Sequence, residues 1–265
     1  MPDLQALVFD VDGTLADTEE LHRQAFNHAF DEFGLEWEWT PRLYEQWLSV
    51  SGGRERLQAY AESLGTSFHW PRNPSDFFRK LHQVKTAHYV RLLRETNLPL
   101  RPGVRRLLEE AREAKLLIGI ATCTARSNVD LLLGRNLGPD WEHWFDVIAT
   151  SDIVPEKKPA PTVYEHVLSE LGLAPRYCVA FEDTVNGHRA ASGAGIRTVI
   201  TTNYFTRNDR FPGASLVVDH LGEPDQPFTP RAGEFWDATF VDLKLLRKII
   251  RTERTRAARI KQAAA

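Results

Sequence analysis

Residues 7–14 have the sequence Leu-Val-Phe-Asp-Val-Asp-Gly-Thr, in which an apolar run ends in two aspartates that are one residue apart. Successive side chains of a strand point to opposite faces, so both carboxylates can serve one reaction only if the chain leaves the strand between them. Gly13 permits such a turn. Because ligands bind at the carboxyl ends of strands in open α/β sheets, we predict that Asp10 is a nucleophile and Asp12 its acid/base partner. The alternative is a simple Asp-Gly turn or a helix cap.

The composition is that of an ordinary globular protein and excludes several function classes. The chain has 265 residues, of which 42% are hydrophobic and 26% charged, and its formal net charge is -3. This charge offers no broad basic surface for nucleic acid, and no apolar run approaches the length of a membrane span. The two cysteines, Cys123 and Cys178, provide neither a disulfide framework nor a zinc-ligand spacing. We therefore predict a cytoplasmic protein, without nucleic-acid or membrane partners, and expect a monomer.

The order of the predicted elements indicates the fold class. The first strand, residues 4–9, leads directly into a helix, and the chain as far as residue 95 contains only helical patterns. After residue 103, helices alternate with strands, which is typical of a parallel sheet covered on both faces. We therefore predict an α/β fold in which a parallel sheet carries an inserted α-helical cap. The predicted domains are a split core, residues 1–16 and 96–265, and the cap, residues 17–95.

Five further strands complete the predicted sheet, at residues 116–121, 147–149, 177–181, 197–200 and 215–218. The last helix of the cap is predicted to bury one face, formed by Phe77, Leu81, Val84, His88 and Leu92. The segment 222–238 is rich in Pro, Gly and acidic residues and is predicted to be a surface loop. Residues 241–260 are predicted to form a final helix with a basic end. That end is either a solvated, frayed terminus or an arm that binds nucleic acid or membrane. Glu253 and several alanines lower its charge density, which favours the solvated terminus.

Three further polar sites follow predicted strands. The hydroxyl of Thr122 and the amides after it could hold phosphate oxygens. Lys158, fixed by the proline that follows, could present a positive charge to the phosphate and keep a nucleophilic carboxylate ionised, whereas Lys157 is predicted to be solvated. The adjacent acids Glu182 and Asp183 are costly to hold near the first two aspartates unless a cation neutralises them, and magnesium suits such a site. Taken singly, each site could also be a strand-end hydroxyl, a surface lysine or a helix cap.

Together these motifs form a specific constellation. The pattern DxDGT at residues 10–14, a strand-end threonine, a Lys-Pro pair and a strand-end acidic pair, in this order, resembles the haloacid dehalogenase superfamily of phosphotransferases. The resemblance covers nearly the whole chain and implies a Rossmann-like core, a magnesium ion and a phosphoaspartyl intermediate on Asp10. It also implies that Asp12 gives its backbone carbonyl to the metal and its carboxyl to acid/base chemistry. In the same way, Asp183 ligates the metal and Glu182 supports it, so the implied metal site comprises Asp10, Asp12, Glu182 and Asp183.

The predicted cap selects the substrate, because a hinged lid excludes water and supplies contacts during chemistry. Two cap segments can reach the phosphate, residues 17–22 and the Gly-Gly turn with its arginines at residues 52–56. The arginines are either exposed helix residues or an anion site for a second phosphate or a carboxylate. Asp17 and His22 could bind sugar hydroxyls, although His22 could equally stabilise the cap helix. The predicted substrate-binding residues are Asp17, His22, Gly53, Arg54, Arg56, Cys123 and Thr124.

Three segments, residues 16–22, 52–56 and 182–187, look like the CbbY-type subgroup, relatives of β-phosphoglucomutase. Members linked to the Calvin cycle dephosphorylate xylulose-1,5-bisphosphate, so the resemblance implies a pentulose bisphosphate as substrate. The chain has Asp17 and Arg54 where the subgroup usually has glutamate and lysine, which leaves the exact sugar open. Our hypothesis is a magnesium-dependent sugar-phosphate phosphatase. The alternatives are a phosphosugar mutase, a phosphoglycolate phosphatase and a non-enzymatic sugar-phosphate sensor.

Overall fold

A single sheet forms the centre of the molecule. The computed structural model describes residues 3–154 and 156–252. In these ranges seven strands lie in the order β3-β2-β1-β4-β5-β6-β7. They are β1 (Ala6–Phe9), β2 (Leu117–Ala121), β3 (Val147–Ala149), β4 (Cys178–Glu182), β5 (Arg197–Thr201), β6 (Leu216–Val218) and β7 (Pro230–Gly233). The first six are parallel and β7 pairs antiparallel with β6, so the predicted α/β fold with a Rossmann-like sheet is confirmed.

The helices fall into two groups along the chain. The cap group contains α1 (Glu19–Glu32), α2 (Pro41–Trp47), α3 (Gly53–Ser63) and α4 (Pro74–Glu95). The core group contains α5 (Val104–Glu113), α6 (Arg126–Leu137), α7 (Thr162–Leu171), α8 (Val185–Gly193) and α9 (residues 243–252). No strand occurs in residues 17–95, all of which are described. This order agrees with an inserted cap, while the domain boundaries at residues 16 and 95 stay predictions.

The central strand β1 explains why the sequence begins with a continuous apolar run. All four of its residues are buried, because β2 and β4 flank it and helices cover both faces of the sheet. The register pairs Phe9 with Ile120 on one side and with Phe181 on the other. The rings of Phe9 and Phe181 stack with their centroids 4.4 Å apart. The carboxyl ends of three strands therefore meet at one edge, directly beside Asp10.

The cap has an aromatic core of its own. Phe26, Phe30, Trp39 and Tyr44 are fully buried there and pack together. Phe205, from the loop after β5, joins this cluster and contacts the Tyr44 ring edge-on at 5.5 Å between centroids. A loop of the core is thus inserted into the cap.

Some predicted elements differ from the structure. The segment 222–238, predicted to be a surface loop, contains β7 at the edge of the sheet, and its four residues are all exposed, so no apolar pattern marks it. The final helix begins at residue 243 rather than 241, and the basic end predicted for it lies outside the described residues. The buried face of α4 is rotated by one residue from the predicted face and consists of Phe78, Leu81, Lys85, Tyr89 and Leu93. Among the described residues, none of the helices has the length and apolar character that a membrane crossing requires.

Candidate active site

Asp10 lies at the end of β1 in a buried group of charges. Its side chain accepts a hydrogen bond of 2.6 Å from Nζ of Lys158, which also donates to Oε1 of Glu182 at 2.5 Å. The hydroxyl of Tyr164 donates to the same Glu182 oxygen at 2.5 Å. Burial raises the pKa of Asp10 to about 7, against the opposing effect of Lys158. Burial would lower the pKa of Lys158, but the carboxylates of Asp10 and Glu182 outweigh it and raise that pKa above its ordinary value.

Three carboxylates form a cluster that fits a divalent cation. Asp10, Glu182 and Asp183 each place one oxygen within 4.8 Å of the others. Oε2 of Glu182 and Oδ1 of Asp183 are buried without a hydrogen-bond partner. Burial, with the charges of Asp10 and Glu182, raises the pKa of Asp183 well above its usual range. Buried, mutually repelling oxygens with unused lone pairs are suitable ligands for Mg²⁺.

The helix-cap alternative for Asp183 is wrong. The hydroxyl of Thr184 caps α8 by accepting from the amide of Gly187 at 3.0 Å, which leaves the carboxylate of Asp183 free for another role. Gly187 is itself required, because a Cβ at this position would overlap the Glu182 carboxylate. Gly13, with φ of +78°, likewise makes room for the Asp183 carboxylate. The glycines therefore let the backbone approach the acids closely.

Asn203 holds one oxygen of Asp183 and was missed by sequence reasoning. Its Nδ2 donates to Oδ2 of Asp183 at 2.8 Å. Its Oδ1 accepts from the amide of Phe205 at 2.9 Å, which fixes the orientation of the amide group. Oδ1 of Asp183 is left without a partner. No acidic or glycine-rich motif marks the loop after β5, so the sequence carried no signal for this residue.

Asp12 faces the cap rather than the acid cluster. Its Oδ1 accepts from the hydroxyl of Thr18 at 2.6 Å and lies 3.2 Å from Nε2 of His22. Burial opposes ionisation of Asp12, but the hydrogen bonds of His22 and Thr18 outweigh it and lower the pKa of this carboxyl. In the described residues the carboxylate of Asp12 is outside the metal-binding group. Its implied contribution through the backbone carbonyl stays a prediction.

Lys85 of α4 continues this chain of contacts into the cap. Its Nζ lies 2.7 Å from Nδ1 of His22, and a donor there directs the proton of a neutral His22 to Nε2, towards Asp12. Burial and the charge of Lys85 lower the pKa of His22, which favours the neutral ring. Burial, helped by the charge of Arg56, lowers the pKa of Lys85 to about 7. A lysine within the apolar stripe of α4 is the sequence signal that could have identified this residue.

The cap and the strand ends enclose a cavity of about 450 Å³. Twelve of the thirteen predicted site residues line it: Asp10, Asp12, His22, Gly53, Arg54, Arg56, Thr122, Cys123, Thr124, Lys158, Glu182 and Asp183. Asp17 is not among them, because its carboxylate lies 3.2 Å from Nε of the buried Arg101 and its side chain is 59% exposed. The structure therefore does not bring Asp17 to the predicted substrate site.

Two cationic residues, Arg56 and Lys157, have partners in the structure that the sequence does not predict. Arg56 donates to the hydroxyl of Tyr44 at 2.8 Å, and that hydroxyl donates to Glu19 at 2.8 Å, so the guanidinium is partly committed inside the cap. The prediction that Lys157 is solvated is wrong. Its Nζ pairs with Oε2 of Glu55 at 2.5 Å and connects the core to α3 of the cap.

Residues 7–201 match the haloacid dehalogenase-like hydrolase family, and the chain belongs to this family. The predicted enzyme class, a phosphatase of this family, is confirmed. The chain is 46% identical to Protein CbbY, plasmid, of Cupriavidus necator over 247 residues. These aligned residues make up 92% of this chain and 96% of that protein. The crystal structure of CbbY from Rhodobacter sphaeroides in complex with phosphate matches with a TM-score of 0.75 and 39% identity, over 83% of this chain and 96% of that one. A β-phosphoglucomutase from Clostridium difficile, with a TM-score of 0.67 and 24% identity over 82% of this chain and 91% of that one, shares the fold.

Proposed function

We propose that the protein is a magnesium-dependent phosphatase of phosphorylated sugars that forms an aspartyl phosphate on Asp10. The observation that carries this proposal is the buried group of Asp10, Lys158, Glu182 and Asp183 at the base of the cavity. A nucleophilic carboxylate, a fixed lysine and two acids with unpartnered oxygens are the components that phosphoryl transfer requires. A bound Mg²⁺ would neutralise the phosphate and the acids around it.

The chain's own residues account for both steps of the reaction. A carboxylate oxygen of Asp10 attacks phosphorus, and the bond from phosphorus to the sugar oxygen breaks as Asp12 gives that oxygen a proton. Water then attacks the phosphoryl group while Asp12 takes up one of its protons, which releases inorganic phosphate and restores Asp10. Lys158 and Thr122 hold the phosphate oxygens through both steps.

The contacts of Asp12 make its proton transfer depend on the cap. Thr18 and His22 belong to the start of the cap, and Lys85 lies on α4. These side chains lower the pKa of Asp12 and so favour the ionised carboxylate that takes up a proton from water in the second step, whereas the first step starts from the protonated carboxyl. Movement of the cap therefore changes the position and the proton affinity of the acid/base group.

We further propose that the substrate is a pentulose bisphosphate such as xylulose-1,5-bisphosphate. Arg54 and Lys157 supply positive charge in the cavity wall in addition to Lys158, which lies at the strand ends beside Asp10 and Glu182. One phosphate occupies the acid cluster, so a second anionic group suits these remaining cations. A CbbY mutant from Rhodobacter sphaeroides has been crystallised in complex with xylulose-(1,5)bisphosphate, with 39% identity to this chain.

Phosphorus NMR of the reaction products tests this function. Wild-type protein with Mg²⁺ and xylulose-1,5-bisphosphate is expected to release inorganic phosphate, and Asp10→Asn is expected to release none while keeping its fold. Asp31→Asn, an exposed aspartate of α1, is the matched control. An isomerised sugar phosphate in place of inorganic phosphate would identify a mutase instead. An Asp10→Asn protein with wild-type turnover would exclude the aspartyl phosphate.

A further inference from the structure

An ion pair between core and cap lies in the wall of the cavity. Oε2 of Glu55 accepts from Nζ of Lys157 at 2.5 Å, and its Oε1 lies 3.5 Å from Arg54. All three side chains line the cavity. Glu55 is therefore a carboxylate held between two cations, one from the core and one from the cap.

The backbone around this pair is adapted to it. Gly52 has φ of +93°, and a Cβ there would overlap both the Glu55 carboxylate and the Lys157 ammonium group. On the same seam, Nδ2 of Asn186 donates to the hydroxyl of Ser51 at 3.1 Å and to a cap carbonyl. An ordinary surface ion pair needs no such clearance and contributes little to stability. A role in ligand binding therefore explains this ion pair better than a contribution to stability does.

The neighbouring lysines divide the charge of the cavity between two places. The ammonium group of Lys158 pairs with Asp10 and Glu182 at the strand ends, whereas that of Lys157 pairs with Glu55 of the cap. A ligand with two anionic groups could therefore pair each group with a different lysine. In this structure the carboxylate of Glu55 is the group that pairs with Lys157.

We propose that Lys157 is a specificity-determining residue that binds, with Arg54, the phosphate of the substrate that is not transferred, and that Glu55 occupies this place until the substrate displaces it. This inference rests on the proposed function and names the residue that recognises the second phosphate. A phosphate carries close to two negative charges at neutral pH and a carboxylate carries one, so the exchange is favourable. Since Lys157 and Arg54 belong to different parts of the chain, the bound phosphate also connects core and cap.

The test is a binding experiment that does not depend on turnover. Calorimetric titrations of the Asp10→Asn protein with Mg²⁺ compare xylulose-1,5-bisphosphate with xylulose 1-phosphate and xylulose 5-phosphate. The same titrations are made after adding Lys157→Met, Lys157→Arg or Glu55→Gln. Lys80→Met, which removes an exposed lysine paired with Asp76 on α4, is the matched control.

The proposal predicts opposite effects for the two partners of the ion pair. Lys157→Met weakens bisphosphate binding by about tenfold or more relative to the monophosphates, because a charged hydrogen bond is lost. Lys157→Arg restores most of the preference, and Glu55→Gln strengthens bisphosphate binding because the competing carboxylate is gone. The control leaves the preference as it was.

Two other results would overturn the proposal. If Lys157→Met and Glu55→Gln both weaken binding of all three ligands alike, the pair is only a structural link, while the preference for a bisphosphate and the proposed function stand. If the parent protein binds the bisphosphate no more tightly than the monophosphates, both the second-phosphate site and the proposed substrate are wrong. Release of phosphate from p-nitrophenyl phosphate by wild-type protein then still tests the phosphatase chemistry separately.

Discussion

Replacing Lys85 by methionine should stabilise the fold and impair the enzyme. Lys85 is only 6% exposed, and its ammonium group lies 4.7 Å from the centre of the Phe26 ring and 5.2 Å from that of Tyr89. Burial lowers its pKa from 10.5 to about 7. At about 1.4 kcal/mol per pKa unit, keeping this charge buried at low pH costs up to about 5 kcal/mol. Methionine fills a similar volume without the charge.

The stabilisation expected from Lys85→Met is smaller than the cost of the buried charge, because the variant also loses the hydrogen bond to His22. Leaving Nδ1 of His22 unpaired costs about 1–3 kcal/mol, so we expect Lys85→Met to raise the free energy of unfolding by about 2–4 kcal/mol near pH 6. The unfolded chain binds the proton of Lys85 more tightly than the native state does. Wild-type protein therefore gains stability as the pH rises from about 7 towards 10.5, and the advantage of the variant shrinks.

Urea unfolding followed by tryptophan fluorescence, at about pH 6 and about pH 9, measures both effects. Lys80→Met, with its exposed lysine, should change stability by less than about 0.5 kcal/mol at either pH. Turnover by Lys85→Met should fall about tenfold or more, because His22 loses the donor that fixes its tautomer towards Asp12. A Lys85→Met protein that is less stable than wild type near pH 6, or whose difference from wild type does not vary with pH, would refute this reasoning.

Three other variants test separate parts of the structure. Lys158→Met leaves the buried carboxylates of Asp10 and Glu182 uncompensated, so without Mg²⁺ the protein should lose about 3–5 kcal/mol in urea unfolding at neutral pH, and an unchanged midpoint would contradict the buried ion pair. Asn203→Ala removes the donor to Asp183 and should shift the Mg²⁺ concentration for half-maximal thermal stabilisation, whereas an identical titration would show that Asn203 does not position that carboxylate. Phe205→Ala leaves a cavity in the cap cluster and should cost about 3–5 kcal/mol of stability, and a loss below about 1 kcal/mol would mean that the loop does not anchor the cap.

The sequence predicts the strand-end residues well because parallel strands bring their carboxyl ends to one edge. Asp10, Thr122, Lys158 and the acids after β4 are far apart along the chain, yet each follows a recognisable apolar strand. Since β1 lies between β2 and β4, Asp10, Thr122 and the acids converge at one edge of the sheet, and Lys158 reaches them from the loop that follows β3. The motif spacing and the sheet together were sufficient to predict this part of the site.

The cap contacts could not be predicted in the same way. Which face of α4 is buried depends on how the cap helices pack, and a rotation by one residue places Lys85 rather than Val84 at the site. Lys157 is predicted to be solvated and Asp17 to bind substrate, but in the structure they pair with Glu55 and Arg101. Neither pairing could be predicted, because these partners are distant in sequence. Such pairings follow from the relative position of core and cap, which no local pattern encodes.

The central claim, that Asp10 becomes phosphorylated, is tested most directly by trapping the intermediate. Wild-type protein turning over xylulose-1,5-bisphosphate with Mg²⁺ is quenched in acid, reduced with borohydride and digested. Because an aspartyl phosphate is reduced to homoserine, mass spectrometry of the peptide that contains residues 7–14 should show this change at Asp10 and at no other carboxylate. Rapid phosphate release without any modified aspartate, or modification of a different residue, would contradict the account.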